Sequence, residues 1–229
     1  MGQHFLPGTP PVAITLRRSA RARRISLRVS GLDGQVTLTL PRGVSEAEAL
    51  AFARSRAAWL RERLAARPEA VRVTAGTVLP VEGAARRIVP VPGRQVVLGA
   101  GLLQVPGPEA VLARRLEAWL RAQARDRLAA ASDRYAALLG RGFSRLSLRD
   151  TRSRWGSCSS RGTLSYSWRL ILAPPEVLDY VAAHEVAHLA EMNHSPAFWA
   201  EVARLCPGYQ APRAWLRREG AALHRYRFD

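Results

Sequence analysis

The sequence predicts an α+β fold with a β-rich N-terminal lobe, a long connecting helix and a C-terminal lobe built on a small sheet. Up to residue 107 the apolar runs are short and interrupted by Gly and Pro, as in small sheets. A long helical pattern follows without interruption, and further strand-like runs then precede a helix that carries the motif H-E-x-x-H. We therefore expect a loose leader over residues 1–11, the β-rich lobe over 12–107 and a further domain over 108–229.

Alternation and turn residues predict the elements of the N-terminal lobe. Three prolines between residues 7 and 11 indicate that the leader is irregular. Ser45, with Glu48 three residues later, forms a capping box, which predicts one helix that continues to about Ala66. Strands are predicted at 14–16, 25–29 and 36–40, with further short strands between 71 and 105 and a hairpin around 99–101.

Glycine and proline also delimit the C-terminal elements. Pro108 opens the long connecting helix, which we expect to end near Leu139 because Gly140 follows. Ser195 and Pro196 are typical of an N-cap and a first helical residue. The remaining strands are predicted at 146–149, 153–157 and 163–167. The remaining helices are predicted from Pro174 or Pro175 to Met192, at 196–204 and at 211–224.

Four residues within the run HEVAHLAEMNH indicate a metal site: His184, Glu185, His188 and His194. On a helix, His184 and His188 project from one face about 6 Å apart, so both imidazoles can reach one ion. Catalytic zinc takes three protein ligands and keeps a fourth position for water, and Glu185 is placed to accept that water's proton. The alternative is that both histidines are hydrogen-bonded polar groups of an amphipathic helix.

The third metal ligand is expected to be His194. It follows Asn193, a residue that tolerates the left-handed conformation that closes helices, so the chain can turn back toward the metal. Glu191 stands where the metzincin pattern has Gly, and Met192 precedes the third His, so the chain lacks the metzincin Met-turn. Three acidic residues remain rival third ligands: Glu191, Glu201 and Glu219.

The segment from residue 152 to residue 202 resembles the core of the YgjP-like metallopeptidase family, relatives of the SprT and WLM zincins. The resemblance rests on an ordered set of parts: Arg154 to Cys158, Trp168 and Arg169, Asp179 to Val181, the His-Glu motif, Asn193 to Ser195, and Phe198 with Trp199. It extends from about Leu16 to Arg218. It implies a zincin-like catalytic lobe with Zn²⁺ on His184, His188 and His194 and with Glu185 as general base; it implies no substrate.

The strand that precedes the metal helix is a candidate for substrate binding. An extended substrate could pair with this strand, Gly156 would allow close approach of its backbone, and Trp155 or Ser157 would line the cleft. Alternatively, Trp155 anchors the core and Gly156 marks a bulge. Cys158 is either a small buried residue of the strand or a thiol near the metal.

Several residues could assist the reaction. The candidates for stabilising a developing negative charge are Tyr180, Tyr209, His224 and Arg154. Tyr180 precedes His184 by four residues and therefore lies near the ligand face of the same helix, although it could equally pack beneath the site. Asp179 is either a partner of a ligand imidazole or an exposed acid of the first helical turn.

The chain is strongly basic, with 35 Arg, no Lys and a net charge of +17. An arginine-rich surface of this kind favours non-specific binding of nucleic acid or acidic substrates, although it is also compatible with a solvated surface. Two cysteines without a C-x-x-C pair favour a reducing compartment, so we expect a cytoplasmic protein. The longest uncharged apolar run is too short for a membrane span, and no membrane partner is expected.

Three functions fit these observations. The first is a zinc-dependent hydrolase of the metallopeptidase type, acting on a peptide substrate. The second is a metal-dependent nucleotide phosphohydrolase of the nucleoside triphosphate pyrophosphatase type, in which arginines bind phosphate oxygens. The third is a nucleic-acid-associated module with structural zinc, which would need a fourth protein ligand.

Overall fold

The computed structural model describes residues 3–31, 33–66 and 69–229. The chain divides into two compact units, Met1–Glu69 and Ala70–Asp229. Each unit combines helices with β-sheet, which confirms the predicted α+β class. Of the helices in the described ranges, none is long and apolar enough to cross a bilayer.

The first unit is a four-stranded sheet with two helices. Its elements are β1 (Gln3–Leu6), β2 (Val12–Arg18), β3 (Ser26–Val29), β4 (Val36–Leu40), α1 (Glu46–Ser55) and α2 (Ala57–Ala65). The strand order is β1-β2-β4-β3, with β2 and β4 parallel and both outer pairs antiparallel. Alternate residues such as Ile14 and Leu38 are buried, because successive side chains of a strand point to opposite faces.

Local signals predicted the first unit incompletely. The Oγ of Ser45 accepts a hydrogen bond from the N–H of Glu48 at 3.2 Å, as the capping box requires. The predicted single helix is nevertheless interrupted at Arg56, whose non-helical backbone separates α1 from α2. Residues 3–6 of the predicted leader form β1, because β2 offers an antiparallel partner and Leu6 becomes buried.

The second unit contains two small sheets, a strand pair and four helices. Its elements are β5 (Val71–Arg72), β6 (Val78–Val81), β7 (Ala84–Val91), β8 (Val97–Leu98), β9 (Leu102–Pro106), α3 (Glu109–Leu139), β10 (Arg145–Arg149), β11 (Gly156–Cys158), β12 (Thr163–Ser167), a 3₁₀ helix (Trp168–Leu172), α4 (Pro175–Ala187), α5 (Pro196–Leu205), α6 (Gln210–Glu219), a second 3₁₀ helix (Gly220–His224) and β13 (Tyr226–Arg227).

The sheet β6-β7-β9-β8 packs with the long helix α3. Leu103 and Val105 of β9 belong to the same buried cluster as Leu112 and Leu116 of α3. This sheet therefore lies in the unit that also contains α4. The boundary between the two units falls between residues 69 and 70, whereas the sequence suggested a boundary between residues 107 and 108. Glycine and proline at that position mark only the turn into α3.

The sheet β10-β12-β11 places β11 at an edge, antiparallel to β12 and next to α4. Tyr166 of β12 is buried, and its hydroxyl lies 3.0 Å from that of Ser132 in α3. Trp168, which begins the following 3₁₀ helix, is fully buried. The Tyr166 contact ties β12, the partner of the edge strand, to α3.

Arg169 carries a buried charge that connects three segments. Its Nε and Nη2 donate to the Asp150 carboxylate at 2.7 and 3.1 Å, and its Nη1 donates to the carbonyls of Leu223 and Tyr226 at 3.3 and 3.1 Å. Although burial acts to raise the pKa of Asp150, the hydrogen bonds and charge of Arg169 lower it. The loop before β11 is thereby tied to the end of the chain.

Candidate metal centre

Helix α4 positions most of the H-E-x-x-H motif. It begins at Pro175, where the missing N–H of proline is harmless, and it carries His184 and Glu185 in its last turn. His188 is the C-cap, and its ring centroid lies 5.1 Å from that of His184. The two imidazoles are therefore neighbours on one side of the helix, as the spacing predicted.

The helix ends at Ala187, earlier than the predicted end at Met192. The N–H of Leu189 bonds the carbonyl three residues back at 2.9 Å, which tightens the last turn. The Nδ1–H of His188 then donates to the carbonyl of Glu191 at 2.9 Å, so the ring itself closes the turn. This hydrogen bond leaves the Nε2 lone pair of His188 free for a metal.

His194 approaches from the loop after this turn. Its Nε2 lies 3.1 Å from Nε2 of His184. The predicted left-handed conformation of Asn193 is wrong, since this residue does not have a positive φ. Its Oδ1 instead accepts the N–H of Ser195 at 3.0 Å, and Ser195 caps α5. Two short side-chain caps thus hold the loop that carries His194.

Phe198 forms the apolar floor of the centre. It is fully buried, and its ring centroid lies 4.9, 4.4 and 4.8 Å from those of His184, His188 and His194. The sequence pointed to Phe198 only through a family resemblance and assigned it no role. Its packing restricts all three imidazoles to one arrangement.

The three imidazoles fit a divalent metal ion. Their candidate ligand atoms all lie within 4.8 Å of one another. Zinc–nitrogen bonds of about 2.0–2.1 Å in a tetrahedron place ligand nitrogens about 3.3 Å apart, close to the 3.1 Å between Nε2 of His184 and His194. The carboxylates of the predicted rivals are not members of this group: Glu191, Glu201 and Glu219.

Burial favours the neutral form of two of the imidazoles, those of His184 and His188. Burial, followed by the charges of His188 and His194, lowers the pKa of His184 to about 3. Burial also lowers the pKa of His188, against the opposing effect of the Glu191 carbonyl. Neutral rings offer the lone pairs that a metal requires.

Glu185 is held between α4 and the edge strand β11. It is 5% exposed, and this burial raises its pKa to about 8, although the charge of Arg154 and the backbone N–H of Cys158 lower it. A cation on the neighbouring imidazoles would favour the carboxylate form. A Cβ built on Gly156 would lie only 2.5 Å from Oε1 of Glu185. The glycine therefore makes room for Glu185, an explanation that differs from the two suggested by the sequence.

One cleft of about 450 Å³ contains the whole predicted site. The four predicted substrate residues, Arg154, Trp155, Ser157 and Tyr180, line it together with Glu185 and the three histidines. Burial raises the pKa of Tyr180, opposed by Arg213 and Arg217, so its hydroxyl stays protonated and can donate a hydrogen bond. The other lining residues are Gly156, Cys158, Val181, Met192 and Leu216.

Other candidates from the sequence have different neighbours. Tyr209 stacks on Tyr180 at 6.2 Å between centroids, and His224 packs on Trp155 at 5.0 Å; neither is among the cleft-lining residues. Each therefore contacts the ring of a residue that lines the cleft.

Two further residues have no place among the metal ligands. The Asp179 carboxylate accepts a hydrogen bond from Arg134 at 2.9 Å, so it is occupied by a partner other than a ligand imidazole. Burial, followed by the charge of Glu185, raises the pKa of the Cys158 thiol to about 11. This half-buried side chain therefore remains a thiol in the cleft wall.

Sequence reasoning named Trp199 only within the family resemblance, without a role, and it missed Arg213, which lies beside that ring. The ring of Trp199 lies 5.7 and 5.8 Å from those of His184 and His194, and the guanidinium of Arg213 lies 4.1 Å above Trp199. Arg213 belongs to α6, and nothing in its local sequence indicates which element it contacts. The helical spacing of residues 213, 216 and 217 is the one available signal that they share a face.

Three converging imidazoles and an adjacent buried glutamate in an open cleft define the class of metal-dependent hydrolases. The family model of the YgjP-like metallopeptidase domain matches residues 23–219, and the chain belongs to this family.

Comparison with solved structures finds similarity to the metallopeptidase zymogen of Pyrococcus abyssi abylysin. The two chains are 26% identical over 42% of this chain and 92% of that chain, with a TM-score of 0.34. No curated protein matches the chain significantly.

Proposed function

We propose that this protein is a zinc-dependent metallopeptidase in which His184, His188 and His194 bind the metal. The observation that carries the proposal is the joint presence of three converging imidazoles and a buried carboxylate in one open cleft. When bound, zinc supplies a Lewis acid that polarises a peptide carbonyl and makes water more acidic. Glu185 accepts a proton from the attacking water and delivers it to the leaving nitrogen.

The hydrogen bonds of β11 support an extended peptide as substrate. Main-chain bonds on its β12 side involve the carbonyl of Trp155 and the N–H of Ser159, at 2.8 and 3.0 Å. Because these groups alternate along a strand, those of Gly156 and Cys158 point to the opposite edge. The N–H of Cys158 bonds Glu185, and the remaining groups can pair with a substrate strand.

Tyr180 is the best candidate for stabilising the developing oxyanion. It lines the cleft, its ring lies 5.9 Å from that of His184, and its hydroxyl remains protonated. A donor of this kind typically contributes about 10²-fold or more to kcat. We expect Tyr180→Phe to lower kcat while zinc stays bound.

Two alternatives remain for the test to separate. Arginines at the cleft favour a nucleotide phosphohydrolase that uses the same general base. A structural zinc in a nucleic-acid-associated module would need four protein ligands, and the group found in the described part of the chain offers three.

The test compares zinc-loaded wild type, Glu185→Gln and Glu191→Gln on a peptide library and on a panel of nucleoside triphosphates. Glu191→Gln is the matched control, because it makes the same change on a carboxylate outside the ligand group. We expect peptide cleavage by wild type and the control, and a loss of at least about 10³-fold in Glu185→Gln with zinc retained. Phosphate release that depends on Glu185, without peptide cleavage, would refute the peptidase proposal. Tight, salt-sensitive DNA binding without any hydrolysis would favour the structural-zinc alternative.

A further inference from the structure

One face of helix α6 borders the cleft and carries two positive charges. Leu216 lines the cleft, and Arg213 and Arg217 lie three residues before it and one after it. Arg213 lies three residues before Leu216 and four before Arg217, spacings that make it a neighbour of both on the helix surface. The two arginines line a second groove, with Gln210, and are not among the residues that line the cleft itself.

The Arg213 guanidinium packs on an aromatic ring, and its positive charge is not neutralised by an ion pair in the described part of the chain. Its Cζ lies 4.1 Å from the centroid of the Trp199 ring, a cation–π contact that does not occupy the N–H donors of the group. In the described part of the chain, no carboxylate forms an ion pair with Arg213 or Arg217. By contrast, Arg204 and Arg218 pair with the neighbouring Glu201 and Glu219.

These charges reach the reacting centre. Trp199, on which Arg213 stacks, also packs on His184 and His194. Both arginines act on the cleft-lining hydroxyl of Tyr180, where they oppose the effect of burial on its pKa. Glu185 is the one acidic residue among those that line the cleft. A peptide that extends from the cleft toward Trp199 would therefore meet unneutralised positive charge.

We infer that Arg213 and Arg217 form a subsite for the carboxylate of an acidic residue close to the scissile bond, which deepens the proposed peptidase function and rests on it. Arg213 offers the fixed N–H edges that bind a carboxylate in bidentate geometry. Arg217, which is more exposed than Arg213, adds a second positive charge. Substrates with Asp or Glu at one position are therefore preferred to the isosteric amides.

The first test measures kcat/KM for peptide pairs that differ only by Asp to Asn or Glu to Gln near the cleaved bond. Wild type should prefer the acidic peptide at one position by about tenfold or more. Arg213→Gln should reduce this preference to about twofold, Arg217→Gln should reduce it in part, and Arg213→Lys should retain part of it. Arg125→Gln, at an exposed position of α3, is the control for lost charge and should keep the full preference.

Several outcomes would overturn the inference. An absent preference in wild type, or one that survives both glutamine variants, removes the subsite. A purely structural role of Arg213 would lower kcat/KM equally for acidic and amide peptides, and zinc content with thermal melting would show the damage.

A binding test separates failure of the subsite from failure of the proposed function. The same peptide pairs, labelled with a fluorophore, are titrated into Glu185→Gln and into Glu185→Gln with Arg213→Gln. Acidic peptides should lose about tenfold in affinity in the double variant, and amide peptides should not. If wild type cleaves no peptide, the peptidase proposal fails, while this titration still decides whether the subsite exists. If Arg213→Gln weakens the binding of a nucleoside triphosphate and leaves that of the acidic peptides unchanged, the arginines bind phosphate, and the carboxylate assignment is overturned.

Discussion

Gly156→Ala provides a sharp test of how Glu185, the proposed general base, is held. Gly156 does not have a positive φ, so alanine is compatible with the backbone and any effect comes from the added methyl group. That Cβ would lie 2.5, 2.6 and 2.8 Å from Oε1, Cγ and Cδ of Glu185, whereas ordinary contact begins at 3.4 Å. Glu185 must therefore move by about 0.9 Å, although it is 5% exposed and bonded to the N–H of Cys158.

A displacement of about 1 Å in a catalytic group can cost about 10²-fold, so kcat/KM for the best peptide should fall by at least that factor. Zinc content should stay at the wild-type level, because the three atoms nearest to the new methyl group all belong to Glu185 and none to an imidazole. Gly142→Ala is the matched control, since a Cβ there meets no atom within 4 Å. Wild-type kcat/KM in Gly156→Ala, with zinc bound, would refute the reasoning. Loss of zinc would instead show that the ligands had moved.

The other predictions concern stability, measured by urea unfolding. Burial, followed by the charge of Arg169, lowers the pKa of His224 to about 4, so the unfolded chain binds the proton first as pH falls below about 6.5. Between about pH 7 and pH 4, the free energy of unfolding of the metal-free wild type should fall by about 2 kcal/mol more than that of His224→Gln, after allowance for partial exposure. Equal pH profiles of the two proteins would contradict this. Arg169→Leu leaves Asp150 and two carbonyls without their donor and should lower the free energy of unfolding by about 3–5 kcal/mol, whereas Arg125→Leu should change it by under about 0.5 kcal/mol. Phe198→Ala should lower the free energy of unfolding by about 3–5 kcal/mol, because the ring is fully buried. It should also weaken zinc binding at least about tenfold in a chelator competition. Unchanged zinc affinity would show that the ring does not restrict the imidazoles.

Local signals predicted helix starts better than helix ends. Ser45 and Ser195 cap α1 and α5 because each side chain bonds an N–H three residues ahead in the chain. The end of α4 depends on the ring of His188, which bonds the Glu191 carbonyl and closes the turn early. The spacing of residues in the sequence does not indicate this hydrogen bond, since a regular helix through Met192 would fit the same apolar pattern.

The sequence by itself determined that His184, Glu185 and His188 lie together, because the helical repeat places residues four apart on one face and neighbours side by side. The family of the chain was also recognisable from the order of its motifs. Only the tertiary structure decided why position 156 is glycine and which arginines lie beside the ligands. The first depends on the contact between β11 and α4, and the second on the contact between α6 and α5. They depend on how distant elements pack, and a local pattern contains no information about packing partners.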